Sequence, residues 1–196
     1  MASNYSLCSE IHIPAKPIDS PKLSLTIIVP AYNEEATIER VVNEVIRIFP
    51  TAEIIAVDEG STDKTALLLK ALAKEQPGRL KVLHNLRNSG KGASVCKALT
   101  FAMGDLIAIQ DADLEVFPED LLRLVKLFEN PDKHMVYGSR VLSNYNSQFR
   151  FQLIPSMLLP KLCNILFDAQ LTDVSTCYKV FRRSIVERLQ SNFPRF

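Results

Sequence analysis

The stretch that most constrains this chain is Leu106-Ile107-Ala108-Ile109, an apolar, partly β-branched run that breaks off into Asp111, Asp113 and Glu115. Such a run reads as a strand buried on both faces that delivers acids to the edge of a sheet. In an extended segment residues i, i+2 and i+4 point the same way, so Asp111, Asp113 and Glu115 are expected to converge. Converging carboxylates repel one another unless positive charge sits between them. Oxygen-only ligands favour a hard divalent ion, Mg²⁺ or Mn²⁺, held together with substrate phosphates. Asp-x-Asp alone reads first as a solvated acidic turn before a helix, so any further meaning rests on the rest of the chain. An EF-hand starting at Asp111 is excluded, since it needs glycine at Val116 and glutamate at Leu122.

Around this stretch, strand-like and helix-like blocks alternate. Leu25 to Pro30 reads as a short buried strand closed by a proline, which cannot continue a ladder. Ile38, Val41, Val42, Val45, Ile46 and Phe49 then recur at spacings of three and four, one face of a helix, with Asn33 as its expected cap. Glu53 to Asp58 is a second strand ending in an acid, and Ser61 is the expected cap of a helix through Leu67, Leu68 and Leu72 that stops before Pro77-Gly78. Leu80 to Leu83 makes a third strand, and the Asn88-Ser89-Gly90-Lys91-Gly92 loop leads into a helix from Ala93 to Met103. Beyond the acidic strand, Pro118 opens a helix with Leu121, Leu124, Val125 and Phe128 on its core face, and Met135 to Arg140 is a fifth strand. This alternation implies an α/β domain, a mainly parallel sheet with helices on both faces. Ligands of such sheets bind beyond the carboxyl ends of the strands, so polar groups scattered along the sequence should meet on one rim.

The chain of 196 residues suits one well-buried domain, taken here as residues 23–196 after a flexible lead-in over 1–22 that carries Pro14, Pro17 and Pro21 and lacks the apolar core of a signal peptide. A net charge of +1 argues against a nucleic-acid binder driven by bulk electrostatics. Cys8, Cys96, Cys163 and Cys177 form no Cys-x-x-Cys pair, which suggests reduced thiols in the cytosol rather than a zinc site or a disulfide framework. Residues 151–171 are strongly apolar but broken by Pro155 and Pro160 and interrupted by Lys161, too short a run for a membrane span. Core cover is their expected role, with contact at a bilayer surface as the alternative. Residues 172–183 then read as a loop and strand, followed by a short helix.

Six segments carry a resemblance: Ile28 to Glu35, Val57 to Asp63, Asn88 to Gly92, Asp111 to Glu115, Tyr137 to Arg140, and Thr172-Asp173 through Arg183. In this order they resemble glycosyltransferase family 2, with its GT-A (Rossmann-like) fold, and most closely the dolichyl-phosphate mannose synthase-like branch that uses polyprenyl phosphates. The resemblance implies a UDP- or GDP-sugar donor whose diphosphate is bridged by a metal at Asp111 and Asp113, with Glu115 as a third contributor. It implies that Pro30, Tyr32, Glu34 and Asp58 hold the nucleoside, with Lys91 nearby, and that transfer inverts the anomeric carbon. An anionic lipid-phosphate acceptor needs orienting cations rather than a strong base. Arg140 and Arg150 are the candidates, with Ser156, and with Lys179, Arg182 and Arg183 as a further basic group. A sugar or protein hydroxyl acceptor would need a carboxylate base instead, and Asp173 is then the candidate.

The sequence departs from the family pattern at Glu59, where a second aspartate is usual, and at Phe196, where relatives of the branch commonly continue. The expected enzyme works at the cytosolic membrane face. Three other readings stay open. One is a truncated homologue that binds nucleotide sugar without turnover, and another is a family 2 transferase acting on a sugar hydroxyl in polysaccharide synthesis. The third, a nucleotidyltransferase, would show a glycine-rich loop where this chain has Pro30-Ala31-Tyr32-Asn33.

Overall fold

The computed structural model describes residues 23–114, 116–139, 154–167 and 170–192, so the lead-in over 1–22, Glu115, Arg140 and Arg150 lie outside the described residues. Six strands run in the order β3-β2-β1-β4-β6-β5: β1 (Leu25–Ala31), β2 (Glu53–Asp58), β3 (Leu80–His84), β4 (Leu106–Ile109), β5 (Met135–Tyr137) and β6 (Lys179–Arg182). The pairs β1–β2, β2–β3 and β1–β4 are parallel, while β6 enters antiparallel between β4 and β5. The expected mainly parallel sheet is therefore present, with one reversed strand wedged into it.

Every residue of β4 is buried, as a strand covered on both faces requires. On one face Ile27, Val29, Ile54 and Ala108 pack against α1 (Ile38–Ile48), α2 (Thr65–Glu75) and α4 (Pro118–Lys126). On the other, Ile28, Ile55, Ile107 and Phe181 pack against α3 (Lys91–Leu99) and α6 (Arg183–Asn192). Buried Ile38, Val41, Val42 and Val45 of α1 realise the three-and-four spacing of the sequence.

Pro30 does not close β1, which runs one residue further with Pro30 in register with Val57. Ile28 turns its backbone carbonyl toward β4, accepting from Gln110 N–H at 2.9 Å, and Pro30, two residues on, faces the same side. The ladder with β4 has by then ended, so the missing N–H costs nothing there. The two expected caps are corrections. Helix α1 starts at Ile38 and α2 at Thr65, so Asn33 and Ser61 lie well before them and bond across the rim to each other's loops. Helix α3 also starts and ends earlier than the sequence reading, at Lys91 and Leu99.

Residues 151–171 yield α5 (Ile154–Phe167), which carries Pro160 inside it. Pro160 is buried, but Leu159, Leu162, Ile165 and Leu166 are 43, 53, 81 and 63 % exposed. Core cover is thus overturned for these residues: the apolar stripe faces outward. Among the described residues no helix is long and apolar enough to cross a membrane.

At the end of the sheet opposite the acidic rim, buried Thr26 and partly buried Glu53 form a network. Thr26 Oγ1 donates to Glu53 Oε2 at 2.6 Å and accepts Gly104 N–H at 2.8 Å, while Met103 N–H donates to Glu53 Oε2 at 2.9 Å.

Candidate functional site

The carboxyl ends of β1 to β5 reach one rim. The β1–α1 and β2–α2 loops are zipped together there by bonds that use side chains of one loop and backbone of the other. Asn33 N–H donates to Ser61 Oγ at 3.0 Å, and Thr62 N–H returns to Asn33 Oδ1 at 2.9 Å. Glu34 N–H donates to Thr65 Oγ1, Glu35 N–H to Asp63 Oδ2, and Lys64 N–H to Glu35 Oε2. Asn33 sits at φ 56°, a left-handed conformation that asparagine tolerates. The floor so formed leaves Tyr32 half-exposed and fixes the Glu34 carboxylate through Thr37 Oγ1 at 2.7 Å.

Beside this floor opens a cleft of about 350 Å³ that gathers Pro30, Tyr32, Glu34, Glu59, Asn88, Gly90, Lys91, Asp111 and Asp113. The structure thus brings together Pro30, Tyr32, Glu34, Lys91, Asp111 and Asp113 of the residues singled out from the sequence, and exchanges one other. Asp58 is fully buried and does not line the cleft: Oδ1 accepts Ser61 N–H at 3.1 Å, and Oδ2 pairs with His84. Its neighbour Glu59, the departure from the family pattern, lines the cleft instead and is 5 % exposed. Glu59 is held by a directed relay. Lys97 Nζ donates to Asn85 Oδ1 at 2.8 Å, Asn85 Nδ2 donates to Ser94 Oγ at 2.9 Å, and the Ser94 hydroxyl bonds to the Glu59 carboxylate.

Burial raises the Glu59 carboxyl above its ordinary range, against the pull of Ser94 and of the Lys91 charge. A carboxyl with a raised folded-state value binds its proton more tightly folded than unfolded, so stability falls as pH rises through that value. Glu59→Gln removes this loss while keeping an acceptor for Ser94. Thermal melts of the variant are therefore expected above the parent at neutral pH, with the advantage gone by about pH 4.

The acidic turn is built differently from the sequence expectation. The extended alternation stops at Ile109, and the chain bends after Asp111, with Leu114 at φ 60° and packed on the core. A non-glycine residue in this conformation costs on the order of 1–2 kcal/mol, so something must hold the turn. Gln110 and Tyr178 do. Fully buried Gln110 donates through Nε2 to Asp111 O at 3.0 Å and Val116 O at 3.2 Å, and the Tyr178 hydroxyl lies 3.0 Å from Gln110 Oε1 and against Phe117 O. Neither residue stood out in the sequence. A polar residue at the end of an otherwise apolar strand was the available signal.

Lys91, first residue of α3, makes an ion pair with Asp111. Partial burial works against its charge, but the Asp111 bond and the charges of Asp111 and Asp113 outweigh that and hold its pKa above the usual lysine range. The Cys177 thiol hydrogen-bonds to Asp111, and burial first, then the Asp111 charge, push it far above the ordinary thiol range. Cys177 therefore stays protonated, and Cys96, Cys163 and Cys177 are all free. Among the described residues no three His, Cys, Asp or Glu side chains form a ready-made metal cage. Two carboxylates facing the cleft, one of them already holding an ammonium, are nevertheless oxygen donors of the kind that would suit a hard cation such as Mg²⁺ or Mn²⁺.

The basic group divides. Lys179 is half-buried, donates to Thr176 O, lies 5.6 Å from the Tyr137 ring centre, and has Asp111, Asp173 and Lys91 within electrostatic reach; burial lowers its pKa. Arg182 instead ties down the backbone at Lys133, Phe128 and Asn130, and Arg183 holds Ala102 O and pairs with Glu187. Those two arginines are structural. Asp173 is 1 % exposed and does not line the cleft. Ser156 lies in α5, with its side chain outside the described ones. Asn164 of α5 both donates to Leu171 O and accepts Leu171 N–H, at 2.9 and 2.8 Å, and Thr172 Oγ1 bonds Ser139 Oγ at 2.8 Å. The outward-facing helix is thereby anchored to the loop that carries Asp173.

Comparison with known proteins agrees with this arrangement. A family profile described as Glycosyl transferase family 2 matches residues 26–190. An undecaprenyl-phosphate 4-deoxy-4-formamido-L-arabinose transferase of Serratia proteamaculans is 31% identical over 175 residues, 86% of this chain and 52% of its own. A dodecaprenyl-phosphate galacturonate synthase of Rhizobium johnstonii is 29% identical over 172 residues, 86% of this chain and 50% of its own. The chain thus spans about half the length of these curated relatives. Among solved structures, a Pyrobaculum calidifontis mannosyltransferase in complex with GDP-Man and Mn²⁺ superposes with a TM-score of 0.63 at 26% identity, over 89% of this chain and 50% of that one.

Proposed function

The chain belongs to glycosyl transferase family 2, and from that premise we propose that it moves a sugar from a UDP- or GDP-sugar to a polyprenyl phosphate, with Mg²⁺ or Mn²⁺ held at Asp111 and Asp113. The observation that carries this reading is one cleft lined by two sets of groups, Tyr32, Glu34 and Glu59 from the β1 and β2 loops, and Lys91, Asp111 and Asp113 from the start of α3 and the end of β4. The first group suits a nucleoside: the Tyr32 ring offers a flat apolar surface, and the two carboxylates accept from base N–H groups and ribose hydroxyls. Glu59 takes the part first assigned to Asp58, because Asp58 has no face on the cleft. The second group suits the diphosphate. When bound, the cation supplies positive charge against the negative charge that grows on the leaving diphosphate.

In the proposed step an acceptor phosphate oxygen forms a bond to the anomeric carbon as the bond from that carbon to the diphosphate oxygen breaks. The nucleoside diphosphate departs with the electron pair, and a single displacement inverts the configuration. A phosphate oxygen is already anionic, so no buried base is needed. Arg140 and Arg150 are the proposed partners that orient it, with Lys179, which lies within electrostatic reach of Asp111, as a further cation. The hydroxyl-acceptor alternative needs a base at the cleft, and Asp173 is buried away from it. The test is transfer by the purified chain, with Mn²⁺ or Mg²⁺, a panel of UDP- and GDP-sugars and a short-chain polyprenyl phosphate. Metal-dependent appearance of lipid-linked sugar is expected.

The outward stripe of α5 supports a peripheral site of action at a membrane surface. Leu162 and Ile165 are exposed on a helix without a single acid, anchored two residues from Asp173. Replacing both by aspartate is expected to weaken binding to phosphatidylcholine–phosphatidylglycerol vesicles by at least about ten-fold, read by co-sedimentation. Transfer to a water-soluble acceptor should persist.

A further inference from the structure

Lys91 occupies an unusual position for a residue facing a cation site: its ammonium is already on Asp111. It stands on the first residue of α3 between Gly90, at φ 87°, and Gly92, and an added side chain at either glycine would meet nothing within 4 Å. The Lys91 side chain is 49 % exposed and Asp111 20 %, so the pair lies at the mouth of the cleft, open to exchange. Without a positive charge, Asp111 would share the cleft with the carboxylates of Asp113, Glu59 and Glu34. Like charges gathered at that spacing raise one another's energy, and a cation arriving at Asp111 must first displace the ammonium.

We propose that Lys91 is a built-in placeholder for the cation, neutralising Asp111 while the cleft is empty and transferring to the diphosphate when cation and nucleotide arrive together. The proposal rests on the reading of Asp111 and Asp113 as the cation-holding pair. Its consequence is coupling. The bare cation binds weakly because it must break the Lys91–Asp111 pair with no new partner for the ammonium. With nucleotide present the ammonium gains phosphate oxygens, so each ligand tightens the other, and by the same factor. A cleft working in this way discriminates against a free cation and against a nucleotide that carries none.

The test is calorimetric titration of Mn²⁺ into the parent, Lys91→Met and Lys91→Arg, each with and without UDP, and again with GDP. Lys91→Met is expected to bind bare Mn²⁺ about five-fold more tightly, the scale of one partly exposed ion pair released. The factor by which Mn²⁺ tightens nucleotide should shrink toward one in the same variant, and Lys91→Arg should restore it. Melting curves verify that each variant folds, with Lys91→Gln in reserve for Lys91→Met. Equal or weaker binding of bare Mn²⁺ by Lys91→Met, with coupling unchanged, overturns the placeholder while leaving the cation site intact. No Mn²⁺ uptake by the parent even with nucleotide, matched by Asp113→Ala, overturns the cation site and the placeholder with it.

Discussion

Asp113→Ala should lower metal-dependent transfer by about 10²–10³-fold or more, the scale of removing one preorganised contributor to leaving-group stabilisation. Two carboxylates face the cleft at the end of β4, and one of them is already paired with Lys91. Removing Asp113 leaves Asp111 alone to hold a divalent ion against a competing ammonium, and a single carboxylate does so poorly. The loss should therefore appear in Mn²⁺ affinity as well as in rate. Release of nucleoside diphosphate from each donor and calorimetric Mn²⁺ binding are the two measurements. Nucleotide binding without metal should change little, because the proposed nucleoside contacts, Tyr32, Glu34 and Glu59, are all retained in the variant. Turnover within about ten-fold of the parent would mean that Asp113 does not hold the cation.

Gly104→Ala should act in the opposite way, on the fold and not on the chemistry. A Cβ there would lie 2.5 Å from Thr26 N and 2.8 Å from both Leu106 O and Leu25 C. All three are backbone atoms of the two central strands, so no side chain can swing away to make room. Relief requires the β1–β4 ladder to shift, and with it the Thr26–Glu53 network. The expected cost is about 3 kcal/mol, or a melting point lower by roughly 6–12 °C for a chain of this size. Turnover per folded molecule at low temperature should be near that of the parent, because the site lies at the other end of the strands. A melting point within a degree or so of the parent would show that the ladder yields more easily than its geometry suggests.

What was legible in the sequence and what was not follow from range. Strands such as Ile54 to Val57 and the buried stripe of α1 are written in spacings of two to four residues, and they appeared where expected. The rim was legible because β1 to β4 all end in it. The choice between Asp58 and Glu59 was not, since it depends on His84 arriving from β3 to pair with one of two adjacent acids. The brace of the acidic turn was hidden for the same reason, with Gln110 and Tyr178 separated by 68 positions. Asn33 and Ser61 are residue types that cap helices, and here a facing loop offered them partners first. The apolar composition of residues 151–171 fixed a helix but not its orientation, because hydropathy does not say whether an apolar stripe meets a core or faces outward.

The reversed strand β6 bears on how the cleft comes into being. Strands β1 to β4 can pair with one another as they are made, but β5 has only β6 for a neighbour, and β6 follows it by some forty residues. Tyr178, which holds the acidic turn through Gln110, immediately precedes that same strand. Between Asp113 and Tyr178 the growing chain therefore holds the acidic turn through Gln110 alone, with its bonds to Asp111 O and Val116 O and without the Tyr178 hydroxyl. The strand that completes the sheet and the side chain that completes the brace of the acidic turn thus arrive together, so the geometry of Asp111 and Asp113 is tied to the closing of β6 between β4 and β5.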